Sequence, residues 1–241
     1  MDNTLSNIKY EKALWDKGVK IVAGVDEVGR GCLAGPLVAC AVVWPPEIAT
    51  WNINSTDLYK TLLLITDSKK ITLKRREVLS DFIIKNCVQY ALVEISSEEI
   101  DQHGVGEANK KALETAALSI KGVEHVLVDH YKIFEGKAYA RNSGQEPVIR
   151  LRRMKLDCNE CEHTLPSSTS ITKGDLLSIS IASASIVAKV YRDKIMREKF
   201  HPIYPQYGFD KHVGYGTKKH LDAIKKHGQT LIHRKSFNTK H

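Results

Sequence analysis

Four short apolar runs stand out along the chain, and their spacing predicts the strands of a sheet. IVAGVDEVG (21–29) alternates, sending Val22, Gly24, Asp26 and Val28 to one face and Ile21, Ala23, Val25 and Glu27 to the other. PLVACAVVW (36–44) follows the glycines as a nearly continuous apolar strand, so 21–44 reads as a hairpin. VQYALVEI (88–95) and EHVLVDH (124–130) supply two more strands, the second ending on Asp129. Between and around these runs the period changes to that of helices. Residues 1–19 read as a helical lead-in through Ile8, Ala13, Leu14 and Trp15. Thr72 can cap a helix to about Asn86, whose stripe is Val78, Leu79, Phe82 and Ile83. Val105 to Lys121 carries Ala108, Ala112, Leu113, Ala116 and Ile120 on one face and stops at Gly122. A long helix is predicted from about Asp175 to Lys199, then a Pro/Tyr-rich loop (201–210) and a basic helical tail.

Two stretches lack a period. Trp51 to Ser55 reads as a loop, and about 131–168 reads as an insertion holding Gly, Ser and Pro clusters. Within 132–155 seven basic residues stand against two acids; the run Arg150, Arg152, Arg153, Lys155 can be a solvated face or an added contact to a polyanionic partner. Strands followed by helices interleaved around a sheet give an α/β or α+β class. The chain divides into a catalytic-size unit over 1–199 and a helical C-terminal segment over 200–241.

Composition narrows the class. In 241 residues, hydrophobic positions make up 42% and charged ones 27%, enough apolar material for one substantial core. The formal net charge of +8 favours a polyanionic partner, because basic surfaces bind phosphate backbones by releasing counterions. Five cysteines, an odd number, do not make a disulfide framework and suit a reducing compartment. Cys158, Cys161 and His163 resemble half of a zinc knuckle, but no second C-x-x-C completes it, so they read as free side chains in a surface loop. No apolar h-region opens the chain and no run approaches the ~18 residues of a membrane span, so a cytoplasmic protein without membrane contact is expected.

The candidate chemistry lies in carboxylates. Asp26 and Glu27 sit inside an apolar strand, where neighbours point to opposite faces; they converge only if the strand bends or ends there, which Gly29 and Gly31 allow. Asp129 ends another buried strand, a costly place for a carboxylate unless it is paired or metal-bound. Asp175 opens a helix after SITKG, where a simple cap is the commoner role. Carboxylates at the ends of sheet elements in a basic protein suit hard divalent ions, Mg2+ or Mn2+, working on a phosphodiester.

Seven ordered blocks carry a family resemblance: VAGVDEVGRG (22–31), TDSKKIT (66–72), VLVD (126–129), TKGD (172–175), SASIVAKVYRD (183–193), PQYGFDKHVGYGT (205–217) and HRKSF (233–237). Together they resemble the ribonuclease HII family. The resemblance implies an RNase H-like α/β fold, with a central mixed five-stranded sheet flanked by helices and a C-terminal helical segment closing over the substrate. It implies two-metal hydrolysis of the phosphodiester on the 5′ side of ribonucleotides, in RNA/DNA hybrids and as single ribonucleotides embedded in duplex DNA, by a monomer. By position, Asp26, Glu27, Asp129 and Asp175 match the family's catalytic metal-site carboxylates. Gly29, Arg30 and Gly31 match the turn that reads the ribose 2′-OH, Tyr215 the aromatic on the following sugar, and Lys69 a phosphate contact. Two features depart from the family. His130 stands where it usually has Gly, and Asp129 and Asp175 are 175 − 129 = 46 positions apart, a longer interval than its bacterial members lead one to expect.

Other readings are weaker. GRGCLAG has G-x-G-x-x-x-G spacing and precedes a strand, not the helix a dinucleotide turn needs. Asp193, eighteen residues after Asp175, would lie ~27 Å along a continuous helix and is expected to be a salt-bridge partner. His212, His220, His227 and His233 show no ligand spacing and read as surface or phosphate contacts. A duplex-binding protein without catalysis would gain nothing from gathered negative charge near phosphate. A DNA-only nuclease of the same fold would not need the glycine turn or Tyr215.

Overall fold

The computed structural model describes residues 7–50, 56–66, 68, 71–134, 148–153 and 165–237, with only the backbone at 56–57 and 148–153. One mixed sheet runs in the order β5-β3-β2-β1-β4-β6. The hairpin expected over 21–44 is β1 (Val22–Val28) antiparallel to β2 (Leu37–Val43). On one side β2 pairs antiparallel with β3 (Gln89–Ile95), and β3 with β5 (Val148–Arg153). On the other, β1 pairs parallel with β4 (His125–Asp129), and β4 with β6 (Ser167–Ile171). The mixed sheet follows the resemblance, and β5 lengthens it at the edge to six strands. Both β5 and β6 fall inside the segment 131–168 or at its end, which pattern alone reads as irregular; the rest of that segment, with Cys158, Cys161 and His163, lies outside the described residues.

Helices cover both faces, as strands buried on two sides require. One face of the sheet, with Ala23, Val25, Leu37 and Ala39, packs on Ile100, Ala112, Leu113 and Ala116 of α4 (Ser97–Leu118). The opposite face, with Val28, Val38, Cys40 and Val42, packs on Leu79 and Ile83 of α3 (Leu73–Asn86) and on Ile179, Ala182 and Ile186 of α6 (Ile179–Lys194). Here α6 lies directly on β1, because Gly24 has no Cβ; one would stand 2.2 Å from the carbonyl carbon of Ser180. The lead-in helix is α1 (Lys9–Trp15), whose buried Glu11 accepts from the Ser178 hydroxyl and, at 3.0 Å, from the Ser180 N–H. A short α2 (Thr56–Leu62) precedes α3.

One helix keeps the bounds the pattern predicts and two do not. Thr72 does occupy the N-cap of α3, but its side chain makes no capping bond. The helix read from Val105 begins earlier, at Ser97, and bends at Gly104, where φ 81° and ψ 152° are non-helical. The single helix predicted over 175–199 is broken. Short α5 (Gly174–Leu177) ends at Ser178, which turns extended and caps α6 by accepting from the Ile181 N–H at 3.2 Å. Asp193 is the salt-bridge residue expected of it. Buried at the end of α6, it meets Lys189 at 2.8 Å, Arg197 at 3.8 Å and Arg76 at 3.9 Å.

After α6 the chain passes through a π-helical turn (Ile195–Phe200), α7 (His201–Ile203), a 3-10 turn (Pro205–Tyr207), α8 (Phe209–His212) and α9 (Lys218–His227). Met196, Tyr207, Phe209, Val213 and Ile224 form a core of their own around Ala34. Among the described residues no helix is long and apolar enough to cross a membrane.

Of the four tail histidines expected at the surface, His227 is exposed and the other three are not. His212, His220 and His233 are buried in this C-terminal core, where Phe209 offers an apolar wall that their spacing alone does not reveal. The rings of His212 and His220 stack at 4.5 Å. Their partners dictate neutral tautomers. The Thr230 N–H donates to His233 Nδ1 at 2.8 Å, so His233 Nε2 carries the proton and donates to His220 Nε2 at 3.1 Å; His220 Nδ1 then donates to the Tyr215 carbonyl at 2.9 Å.

A proton added to this relay sets N–H against N–H. Burial holds His220 and His233 at about 4, whereas an unfolded histidine titrates near ~6.5. Between those values the unfolded chain binds more protons, so stability is intact above ~6.5 and falls as the pH drops towards 4. We expect roughly 1–3 kcal/mol to be lost between pH 7.5 and 5.0, read as a falling denaturation midpoint. His220→Gln should flatten that fall, and an equally steep fall in this variant would remove the relay as its cause.

Candidate active site

The site follows from the register of three parallel strands. Val25 pairs with Val128 across β1 and β4, so Asp26 and Asp129 come next on strands ~4.8 Å apart. Asp129 in turn pairs with Ile171, the last residue of β6. Four residues later the turn delivers Asp175 into the first turn of α5. The Gly174 N–H donates to Asp129 Oδ1 at 2.8 Å, fixing that carboxylate beside the incoming turn.

Asp26 and Glu27 keep the alternation of the strand. Asp26, buried, lies towards Ser185 of α6, and its Oδ1 accepts the Glu27 N–H at 2.8 Å. Glu27, half-buried, lies towards Asn109 of α4. Both stand within the last three residues of β1, which stops at Val28, and Gly29 turns the chain with φ 94°. Burial pushes the Asp26 carboxyl well above the usual range, and the charges of Glu27 and Asp129 add to it. Burial also raises Glu27, opposed by the Arg30 guanidinium and Asn109, while Asp129 raises it further. Thus Asp26, Glu27 and Asp129 share one electrostatic neighbourhood, with Asp175 joined to it through Gly174. Among the described residues no three acidic, histidine or cysteine side chains already stand as a closed metal clasp.

The two glycines of the adjoining turn differ. A Cβ on Gly29 would lie 2.2 Å from Arg192 Nε, so the fold itself demands glycine there. A Cβ on exposed Gly31 would meet nothing within 4 Å. Beside the turn, the Tyr215 ring has Lys189 Nζ at 5.0 Å and Arg192 Cζ at 5.8 Å from its centre. Burial pushes the tyrosine hydroxyl up to about 12, and Cys32, within hydrogen-bonding reach of it, adds to the rise. The ring remains 38% exposed, enough to offer a face to a ligand. Lys69 lies outside the described residues.

Four residues near the site escape the sequence reading. Asn109 is fully buried beside Glu27, close enough to ease its ionisation, yet neither of its polar atoms reaches full hydrogen-bond geometry with a described group. Its signal was faint: a polar residue next to the apolar stripe of α4. Cys32 gives no sign in sequence of facing Tyr215. Arg192, fully buried, donates to the carbonyls of Pro36 at 2.8 Å, Val213 at 2.8 Å and Ala34 at 3.0 Å. Arg234, equally buried, donates to Arg30 and Gly35 carbonyls. Arg192 was legible in principle, since it continues the stripe Ile181, Ala184, Ala188 at helical spacing.

His130, after Asp129, has φ 45°, and Lys173, before Gly174, has φ 60°. Both lie in the left-handed region that glycine enters at least cost, so the glycine that the resemblance leads one to expect in place of His130 would sit there without strain.

Comparisons with known proteins identify the family and the fold. A family model described as Ribonuclease HII matches residues 23–240. The Ribonuclease HII of Acholeplasma laidlawii is 39% identical over 235 residues, which cover 97% of this chain and 95% of its relative. The ribonuclease H2 of Pyrococcus horikoshii OT3 has the same fold, with a TM-score of 0.64 at 24% identity over 91% of this chain and 94% of its own. Bst-RNase HIII, solved in complex with Mn2+, gives a TM-score of 0.56 at 14% identity, over 92% of this chain and 68% of its own. The family match runs from β1 through α9 to residue 240 and takes in the positions of all four carboxylates, the glycine turn and Tyr215; the chain belongs to the ribonuclease HII family.

Proposed function

We propose that this chain hydrolyses the phosphodiester on the 5′ side of ribonucleotides, in RNA/DNA hybrids and as single ribonucleotides within duplex DNA, leaving 3′-OH and 5′-phosphate ends. Family membership carries the coarser statement that it is a hydrolytic nuclease of the ribonuclease H type. The observation that carries the finer reading is the juxtaposition of a buried carboxylate group with an open glycine turn at one end of the sheet.

The donor set fits divalent cations. Asp26, Glu27 and Asp129 are oxygen donors; burial first and neighbouring negative charge second raise the carboxyls of Asp26 and Glu27, and a bound cation would offset both. Asp26, Glu27, Asp129 and Asp175 would hold Mg2+ or Mn2+, the second being the ion bound by the Bst-RNase HIII relative. Such ions, when bound, activate water and stabilise the attacking and leaving oxygens. The chain's own groups do the positioning. The Gly174 N–H orients Asp129, Asp26 accepts the Glu27 N–H, and Arg30 favours the charged form of Glu27.

Recognition falls to the turn and to Tyr215. A 2′-OH is read by a donor or acceptor at close range, and the open space over Gly31 leaves its backbone approachable. Tyr215 offers an uncharged ring to the next sugar. The exposed Lys218, Lys219, Lys225 and Lys226 of α9 give the C-terminal segment a basic surface for the duplex backbone. Lys69 is assigned a backbone phosphate by family position alone.

Asp26→Asn and Glu27→Gln should each lower cleavage of a duplex with one ribonucleotide more than a hundredfold, while binding measured by anisotropy in EDTA stays within a few-fold. Without divalent ions the thermal midpoint of Asp26→Asn should equal or exceed that of the native chain, because a buried repulsion is removed. Activity above a few percent in either variant would refute the metal-site assignment.

Gly31→Val should fold normally, since nothing in the protein occupies the space, yet lose ribonucleotide cleavage by blocking the sugar. Tyr215→Ala should cost on the order of 1–3 kcal/mol, as for other aromatic contacts with nucleic acid. The loss should be largest on a single embedded ribonucleotide, where one junction carries all the selectivity. A native ratio of single-ribonucleotide to RNA/DNA-hybrid cleavage in Tyr215→Ala would rule out junction sensing.

A further inference from the structure

The turn proposed to read the ribose has little packing of its own. Its tip is exposed at Arg30 and Gly31, and its internal tie is a 3.2 Å bond from the Cys32 N–H to the Gly29 carbonyl. Arg192 and Gly214 tie the base of the loop at Leu33, Ala34 and Pro36, and a second set of ties, the one that reaches Arg30 and Gly35, comes from the far end of the chain. Residues 232–236 lie across the loop 30–35 as a strap. The Gly35 N–H donates to the Ile232 carbonyl at 2.8 Å, His233 bridges Ala34, and the Arg234 N–H donates to the Leu33 carbonyl at 2.9 Å. The Arg234 side chain then goes under the loop. Nη1 donates to the Arg30 carbonyl at 2.8 Å, while Nε and Nη2 share the Gly35 carbonyl at 3.2 and 3.0 Å.

The strap is itself pinned to the catalytic core. Asp101 of α4 accepts the Lys235 N–H at 2.8 Å, the Ser236 N–H at 2.9 Å and the Ser236 hydroxyl at 2.6 Å. The Arg234 guanidinium rests on the Phe237 ring, 5.2 Å from its centre. All the hydrogen bonds of this guanidinium thus end on backbone carbonyls of one loop, the loop whose tip faces the carboxylates. A fork of fixed N–H directions sets carbonyl positions in a way a flexible ammonium does not.

We propose that Arg234, held in place by the Asp101-anchored strap, is a positioning residue for ribonucleotide selectivity: it fixes the Arg30 carbonyl and with it the register of the Gly29–Gly31 turn on the ribose. The proposal rests on the reading of that turn given above. It makes selectivity depend on the chain's far C-terminal residues, which touch no reacting atom. A hybrid offers a 2′-OH at every register, so a loosened turn still finds one. A single ribonucleotide offers one register only, and there the loss concentrates.

The test compares Arg234→Lys and Asp101→Ala with the native chain on two substrates, a DNA duplex with one ribonucleotide and an RNA/DNA hybrid. Arg234→Lys keeps the charge and loses the fork. Asp101→Ala releases the strap from a partly exposed site without opening the core. We expect kcat/KM on the single ribonucleotide to fall at least tenfold and on the hybrid less than threefold, with faster hydrogen exchange over residues 30–36. A parallel fall on both substrates, or an unchanged ratio, overturns the proposal. Where Arg234→Lys fails to fold, Asp101→Ala decides alone by the same ratio. If Gly31→Val loses cleavage and Tyr215→Ala changes the ratio while these two variants do not, the turn reads ribose and the strap has no part in it. If Gly31→Val cleaves as the native chain does and Tyr215→Ala leaves the ratio unchanged, the reading of the turn falls, and this inference with it.

Discussion

Like charges gathered at the end of a sheet are the constraint around which this fold is arranged. Two carboxylates ~6 Å apart repel by about 3 kcal/mol at an effective dielectric near 20, and burial adds a desolvation cost to each. The parallel pairing of β1 with β4 imposes the crowding, because it brings Asp26 and Asp129 abreast. Local donors offset part of it. Asp129 accepts from Gly174, Asp26 from Glu27, and Glu27 has Arg30 and Asn109 beside it. What remains is an uncompensated negative field at this end of the sheet, held at a cost in stability.

The central strands were legible because burial on both faces writes a continuous apolar run, and the hairpin 21–44 needs little more than its glycines. The edge strands were not. SSTSI of β6 is polar, and its strand character comes from pairing with β4, a long-range effect that no local window contains. VIRLRR of β5 alternates in sequence, but its arginines also fit a solvated charge run, and only the partner β3 decides between them. The break at Ser178 was hidden for a different reason. Apolar periodicity continues through it, while the serine side chain restarts the helix by capping Ile181.

The candidate site divides the same way. Asp26, Glu27, Gly29 and Gly31 are adjacent in sequence, so motif and geometry coincide. The groups that support them come from α4, α6 and the C-terminal strap, and they are linked to the site only by folding. Buried histidines illustrate the ambiguity: spacing shows that His212, His220 and His233 are not a simple ligand set, but cannot show that Phe209 walls them into a core.

The backbone around Asp129 shows how the carboxylates are kept from relaxing apart. His130 and Lys173 both hold positive φ, a conformation costing of order 1–3 kcal/mol for a residue with a Cβ. Such strain persists only where neighbouring bonds over-determine the turn. Here they do: the His130 N–H donates to the Ile171 carbonyl at 3.1 Å, the Gly174 N–H to Asp129, and the Ser178 N–H to the Gly174 carbonyl at 2.8 Å. A flexible pair of turns would let Asp129 and the Asp175 segment swing away from Asp26 and Glu27 and relieve the repulsion. A strained and pinned pair cannot, so the negative field of the site is preserved by backbone geometry and not by the side chains that generate it.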